Sequence, residues 1–243
     1  MLEDQRFPAR KKCHPPEQPT PLNQHVGQVT VLCVLRESPT FGVEDVNRLY
    51  RGIERNTTKK FQFAVLTDST AKFDPGVNVI PLKHPEWTTK WSKLELFRPD
   101  IVNQCPWREQ FFYADLDTVI VGSLDDILSY DGSFMMLRDF LRSRAHGSGL
   151  MSWSNALGPE MYYDFVNTPQ AVREKTYAIG NGRGDQLFIR HHCNLEPHLY
   201  QDFWPDQVVS YKVHCVKKPR PVNARVVCFH GRPKVFEVTD KWI

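Results

Sequence analysis

Two aspartates one residue apart, Asp115 and Asp117, interrupt the otherwise apolar run Phe111-Phe112-Tyr113-Ala114-Asp115-Leu116-Asp117-Thr118-Val119-Ile120-Val121. Burying a carboxylate is costly unless it is paired, so an acidic pair inside such a run calls for a cation. Residues i and i+2 of a strand point to one face, and Asp115 and Asp117 would then converge on one divalent ion, their hard oxygens suiting Mg²⁺ or Mn²⁺. The pair fits equally a strand that ends in a tight, solvated turn, and these two residues alone leave both readings open. His230, directly after an apolar stretch and followed by Gly231, Arg232 and Lys234, is either a metal ligand beside phosphate-binding groups or a loop histidine with basic neighbours. The turn Gly180-Asn181-Gly182-Arg183-Gly184-Asp185-Gln186 presents an acid and an amide ahead of the helical pattern Leu187, Phe188, Ile189. Such a helix start binds anions or is simply capped by its aspartate. Its glycines match neither the dinucleotide fingerprint nor the phosphate loop. His191, His192 and Cys193 are adjacent, and neighbouring residues on a helix point apart, so they are poor candidates for one ion.

The elements that must position these residues alternate. Gln28 to Leu35 reads as a central strand, nearly continuous in hydrophobicity. Val43 to Ile53 has apolar residues at helical spacing, and Phe61 to Asp68 is a second strand ending in an acid. Strand, helix, strand predicts a parallel pair with a right-handed crossover, the start of an open α/β sheet. Ligands of such sheets bind beyond the carboxyl ends of the strands, which makes Arg36, Phe41, Thr67 and Asp68 candidates for one site. Val77 to Leu82 is a short third strand, and Trp87 to Val102 predicts a helix that stops or kinks near Pro99, with Lys93 at its start. The acidic pair follows on a strand that continues through Val119 to Val121. Gly122 to Leu128 reads as a short helix capped by Ser123, with Asp125 and Asp126 structural in its first turn. Ser133 to Leu137 and Gly149 to Trp153 are further strands around a polar excursion over 140–149 that carries Arg142, Arg144 and His146 beside Arg138. Gly158 to Val166 is helical, and Val208 to Val213 and Ala224 to Phe229 are late strands.

Bulk properties exclude several classes. The chain has 243 residues, 41% of them apolar and 24% charged, the composition of an ordinary globular protein. Residues 1–27 hold five prolines and read as a flexible extension, followed by one domain over 28–243; the basic cluster at Lys11 and Lys12 reads as a solvated tail. With 31 basic against 28 acidic residues, a formal charge of +3 is too small to argue for nucleic acid. No stretch is long and apolar enough to span a membrane, and the amino terminus has no signal core, so the expectation is a cytoplasmic protein. The six cysteines are scattered, which argues against a zinc site or a disulfide framework and for buried thiols.

An acidic pair at a strand end, a late His-Gly-x-x-Lys loop and a doubly wound sheet share one explanation, a metal-bound diphosphate whose departure is eased by the ion and by Lys234. Here the chain resembles the GT-A glycosyltransferases, and within them the retaining family that includes glycogenin and the lipopolysaccharide galactosyltransferases. The resemblance runs from Val29 to Lys234. It is carried by Trp91-Ser92-Lys93-Leu94-Glu95-Leu96-Phe97, Tyr113-Ala114-Asp115-Leu116-Asp117-Thr118-Val119, Gly184-Asp185-Gln186 and Phe229-His230-Gly231-Arg232-Pro233-Lys234. It implies a Rossmann-like mixed, mostly parallel sheet flanked by helices. It implies that Asp115 and Asp117 form the metal-binding Asp-x-Asp with His230 as third ligand, and Mn²⁺ (or Mg²⁺) as the ion. Lys93, Gly231 and Lys234 would contact the donor, and Asp185 and Gln186 would lie by the transferred sugar. The family's Asn-Ala-Gly or Asn-Ser-Gly segment is replaced by His146-Gly147-Ser148-Gly149, and Phe41 stands where it could stack on the nucleotide base.

The expected activity is metal-dependent transfer of a sugar from a nucleoside-diphosphate sugar, UDP-linked, with retention. The leaving diphosphate helps deprotonate the acceptor, and Asp185 or Gln186 stabilises the charged sugar. Under inversion Asp185 would be the general base. Two other classes stay open, a sugar-nucleotide or nucleic-acid binding protein without turnover and a metal-dependent hydrolase, with transfer to a modified nucleic-acid base as a hybrid. The sequence does not distinguish a saccharide, protein, lipid or nucleic acid as acceptor.

Overall fold

The structure is a computed structural model that describes residues 29–87, 89–105, 110–130, 134–154, 157–180, 184–192 and 196–242. The proline-rich extension lies outside these residues, as do Cys13, Cys193 and the 181–183 part of the glycine-rich turn. Strand β1 (Val29–Leu35) pairs in parallel with β2 (Phe61–Thr67), from Val29 opposite Phe61 to Leu35 opposite Thr67. The crossover between them is α1 (Val43–Arg55), whose buried stripe is Val46, Leu49 and Ile53. Its first turn holds Glu44 and Asp45, and the Asp45 carboxylate accepts the Gly42 N–H at 2.9 Å. Strand β3 (Val77–Pro81) extends the sheet beyond β2, and β4 (Gln110–Ala114) adds to β1 on the other side, both in parallel.

Beyond β4 come β5 (Thr118–Ile120), β6 (Phe134–Arg138), β7 (His146–Ser154) and β8 (His198–Leu199), then β9 (Val208–Ser210) and β10 (Val226–Cys228). The main sheet has the order β3-β2-β1-β4-β7-β6-β8, with only β7 running against the rest. A second sheet, β5-β10-β9, stands beside it. Successive β1 side chains feed opposite apolar layers: Val29, Val31, Cys33 and Leu35 pack toward α1, while Leu32 packs with Trp91, Phe97 and Phe188. A sheet covered on both faces explains why β1 is hydrophobic without alternation. The remaining helices are α2 (Ile101–Gln104), α3 (Asp125–Leu128), α4 (Pro159–Asn167), α5 (Pro169–Gly180), α6 (Gly184–His192) and α7 (Tyr200–Phe203). None of the described helices is long and apolar enough to cross a membrane.

Several sequence expectations change in physical detail. The helix expected over Trp87 to Val102 is a 3₁₀ segment, Thr89–Phe97, followed by the short α2. Trp91, Leu94 and Phe97 recur every three residues, the period of a 3₁₀ turn, and the intervening Ser92, Lys93 and Glu95 are buried too. A segment buried all round has no amphipathic stripe to read. The acidic strand does not run on to Val121: β4 stops at Ala114, and Thr118–Ile120 belongs to the second sheet, opposite Cys228, Val227 and Val226. The expected polar excursion is a tight connection, because β7 begins at His146, with a bulge in the pairing between Met136 and Leu137. Ser123 does not cap α3; Leu124 occupies that position. Asp125 is structural as expected, accepting hydrogen bonds from Thr57 and Thr58, and Asp126 takes Trp204 and Arg225. The late strand expected to reach Val213 ends at Ser210, where a wide π-type turn over Tyr211–Cys215 begins.

Candidate active site

The acidic pair sits in a turn at the carboxyl end of β4. Asp115 donates its N–H to Gly149 O of β7 at 2.9 Å, and Thr118 N–H closes the turn on Asp115 O at 3.0 Å. Asp117 O accepts Phe229 N–H at 2.8 Å, which ties the turn to the segment after β10. The carboxylates therefore converge from a turn rather than from alternate positions of one strand. Arg48 of α1 donates to the Leu116 carbonyl between the two acids, and is itself held by Asp45 at 2.7 Å.

Each carboxylate has a lysine. Lys93, buried at the heart of the 3₁₀ segment, lies 3.0 Å from Asp115, 3.5 Å from Asp185 and 3.1 Å from Ser148 Oγ. Burial alone would lower its pKa, but the Asp115 and Asp185 charges outweigh that and hold it above the ordinary lysine value. Ser148 Oγ donates in turn to Asp185 at 2.7 Å, and Tyr113 donates to Asp115. Burial, then the Asp115 charge, raises the Tyr113 pKa well above its usual range, so Tyr113 stays a donor. Lys234 reaches Asp117 at 3.1 Å and lies over the Phe41 ring at 5.0 Å. Burial and the neighbouring Asp115 push the Asp117 pKa up to about 6, against the opposing pull of Lys234.

Two cavities meet at this turn. One, of about 460 Å³, is lined by Arg36, Phe41, Tyr113 and Lys234; the other, of about 430 Å³, by Asp185, Gln186, His230, Gly231, Phe140 and Arg142. Lys90, Lys93, Asp115 and Asp117 line both. Glycines bring backbone close to the acids: a Cβ on Gly149 would stand 3.1 Å from Asp115 Oδ2. Gly231 has φ +75°, a left-handed conformation that glycine adopts without strain.

The structure thus brings together Lys93, Asp115, Asp117, Asp185, Gln186, Phe41 and Lys234. Arg36 lines the first cavity, but Asp68 enters only through it: the Arg36 guanidinium binds Asp68 at 2.7 Å and Ser92 at 3.0 Å. His230 faces the second cavity, yet its Nε2 is hydrogen-bonded to Ser210 Oγ at 2.6 Å and its ring stacks on Phe140. Burial and the Lys212 charge lower its pKa. Among the described residues, no three His, Cys, Asp or Glu side chains form a ready metal cluster, so the expected set of Asp115, Asp117 and His230 is not assembled as it stands. The donor chemistry of the two aspartates nevertheless fits a hard divalent cation: both offer hard carboxylate oxygens and both line the two cavities. Ser148, Ser210 and Arg48 were not singled out as site residues by sequence. The glycines on both sides of Ser148 were the available signal for its close approach.

No family model matches the sequence, and no curated protein matches it. Solved structures match its fold. The glycosyltransferase GlyE of Streptococcus pneumoniae TIGR4 superposes with a TM-score of 0.52 at 12% identity, over 85% of this chain and 55% of that one. This chain therefore spans little more than half the length of GlyE. The galactosyltransferase LgtC, in complex with donor and acceptor sugar analogues, gives 0.55 at 8% identity, over 84% of this chain and 88% of that one. An active-site mutant of LgtC gives 0.56 at the same identity and coverage. The chain has the fold of these glycosyltransferases, the GT-A-type mixed sheet that the motifs imply.

Proposed function

We propose that the protein is a metal-dependent glycosyltransferase, moving a sugar from a nucleoside-diphosphate sugar, UDP-linked, to an acceptor hydroxyl with retention. The observation that carries this reading is the acidic turn, flanked by Lys93 and Lys234, at the meeting of two cavities. A sugar nucleotide has that division: its diphosphate lies between a nucleoside and the sugar to be transferred. The cavity with Arg36 and Phe41 suits the nucleoside, Phe41 offering an aromatic surface and Arg36 a guanidinium braced by Asp68. The cavity with Asp185, Gln186 and His230 suits the sugar and the acceptor.

Asp115 and Asp117 would hold Mn²⁺ or Mg²⁺, with His230 joining once it leaves Ser210. The ion, when bound, neutralises the diphosphate oxygens as they gain charge. Lys234 places a further cation beside them, and Gly231 leaves room for close approach of backbone to phosphate. Lys93 and Ser148 fix the Asp185 carboxylate, whose negative charge faces the sugar as positive charge develops there. Gln186 is an uncharged hydrogen-bonding neighbour for the sugar hydroxyls.

The test is a panel of UDP-, GDP-, ADP- and dTDP-sugars with and without Mn²⁺, read by nucleotide release and by mass of the product. The expected outcome is Mn²⁺-dependent release of UDP from one of them. Release of inorganic phosphate with no sugar product would instead make the protein a hydrolase, and salt-sensitive DNA binding without turnover a binding protein. The anomeric configuration of the product, read by NMR, decides between retention and inversion.

A further inference from the structure

We infer that the acceptor is an acidic saccharide, a sugar bearing a carboxylate or phosphate, whose anionic group is held in a basic hollow next to the transfer site. The inference rests on the glycosyl-transfer reading of that site. The hollow has a volume of about 250 Å³ and is walled by Arg144, His146, Gln186, Arg190 and His191. Gln186 also lines the cavity that holds Asp185 and the acidic turn, so the two spaces adjoin across a single side chain. Among the described residues lining the hollow there is no acid, whereas those of the adjoining cavity include Asp115, Asp117, Asp139 and Asp185.

The basic groups are arranged rather than merely exposed. Arg190 is buried on α6; its Nε donates to His146 Nδ1 at 3.3 Å and its Nη2 reaches Glu196 at 2.6 Å. The guanidinium is thereby oriented from two sides, and the half-exposed Glu196 is a partner that an incoming anion can replace. Arg144 stands exposed across the hollow, in no ion pair of the described residues. Planar guanidinium groups match the paired oxygens of carboxylate and phosphate. The spacing suits one sugar unit: Gln186 and Arg190 are four residues apart on α6, about 6 Å along the helix axis, the span of a pyranose ring. An acceptor hydroxyl beside Asp185 and Gln186 would leave an anionic substituent of the same or the next sugar at Arg190 and Arg144.

A polynucleotide fits less well. Its backbone asks for a run of cations, but the whole chain carries only +3. A small hollow selects one anionic group, not a chain of them.

The test is calorimetric binding to the full chain, in the presence of Mn²⁺ and UDP, of glucose and galactose, their 6-phosphates, their uronic acids and a short single-stranded oligonucleotide. The acidic sugars are expected to bind about tenfold more tightly than the neutral ones, the worth of one charge-assisted contact. Arg144→Gln should reduce that ratio severalfold, and higher salt should narrow it as well. Equal affinities for acidic and neutral sugars, no binding of the acidic ones, a ratio untouched by Arg144→Gln, or binding of the oligonucleotide alone would each overturn the inference. UDP release from the donor is measured separately. A preference for acidic sugars without any nucleotide release would overturn the transfer reading and leave an acidic-sugar site, whereas release without the preference would remove the hollow's role only.

Discussion

Lys93 is the residue on which the charge balance of the site turns. One buried ammonium faces Asp115 and Asp185 and also donates to Ser148. Replacing it by Met would leave two acids without their shared counter-charge, a loss of about 3 kcal/mol by analogy with broken buried ion pairs. Urea denaturation of Lys93→Met checks this. Asp117 behaves oppositely. Its pKa is raised to about 6, so the folded chain disfavours the charged form at neutral pH, and a neutral isostere relieves that strain. Asp117→Asn is expected to keep or slightly raise the unfolding midpoint while Mn²⁺-dependent UDP release falls by about 100-fold or more, since even changes to the partners of metal ligands cost about 10–100-fold. Near-normal turnover in that variant would overturn the proposed metal role of Asp117.

At the scale of elements, α1 does more than cover the sheet. Its Asp45 holds both Gly42, next to Phe41, and Arg48, which in turn holds the carbonyl between the two acids. Arg48 Nε is buried without a partner among the described residues, so Met is tolerated there better than charge alone suggests. Arg48→Met should leave the unfolding midpoint close to that of the parent and weaken Mn²⁺ affinity about tenfold, measured by electron paramagnetic resonance of free Mn²⁺. An unchanged Mn²⁺ titration would confine Arg48 to packing. The elements that the sequence made legible were those with a single period: β1 and β2 by unbroken hydrophobicity, and α1 by its stripe at Val46, Leu49 and Ile53. The 3₁₀ segment was misread because Ser92, Lys93 and Glu95 are buried beside Trp91, Leu94 and Phe97, which erases the contrast between faces. Asp115, Asp117, His230 and Lys234 of the candidate site were legible as types, but not their connections. Nothing local in the sequence says that Thr118 changes sheets, that Ser148 will meet Asp185, or that His230 will turn to Ser210.

For the molecule as a whole, two histidines make stability depend on acid in a direction opposite to that of Asp117, whose raised pKa favours the folded chain as pH falls. Burial lowers the pKa of both His192 and His198. The unfolded chain, with histidines near about 6.5, then binds protons more readily than the folded one. The stabilisation is present above that value and is lost as pH falls from it toward the lower folded values. In an Asp117→Asn background, which removes the opposing titration, denaturation midpoints should therefore drop between about pH 7.5 and about pH 5.5, and adding His198→Gln should flatten the drop. An unaltered pH slope would show that His198 is not a source of it.

The link between Asp117 and Lys234 has a further consequence in time. The two residues are 117 positions apart, and Asp117 also depends on Phe229 for its backbone partner. During synthesis at about 5–20 residues per second, the acidic turn would wait roughly 6 to 23 seconds between its own emergence and that of its lysine. The main sheet can begin to assemble around β1, β2 and β4 in that interval, but the pairing of Asp117 with Lys234 cannot. A growing chain still on the ribosome would therefore be folded in large part while the acidic turn still lacks its lysine, and the pair would close only when the segment after β10 docks.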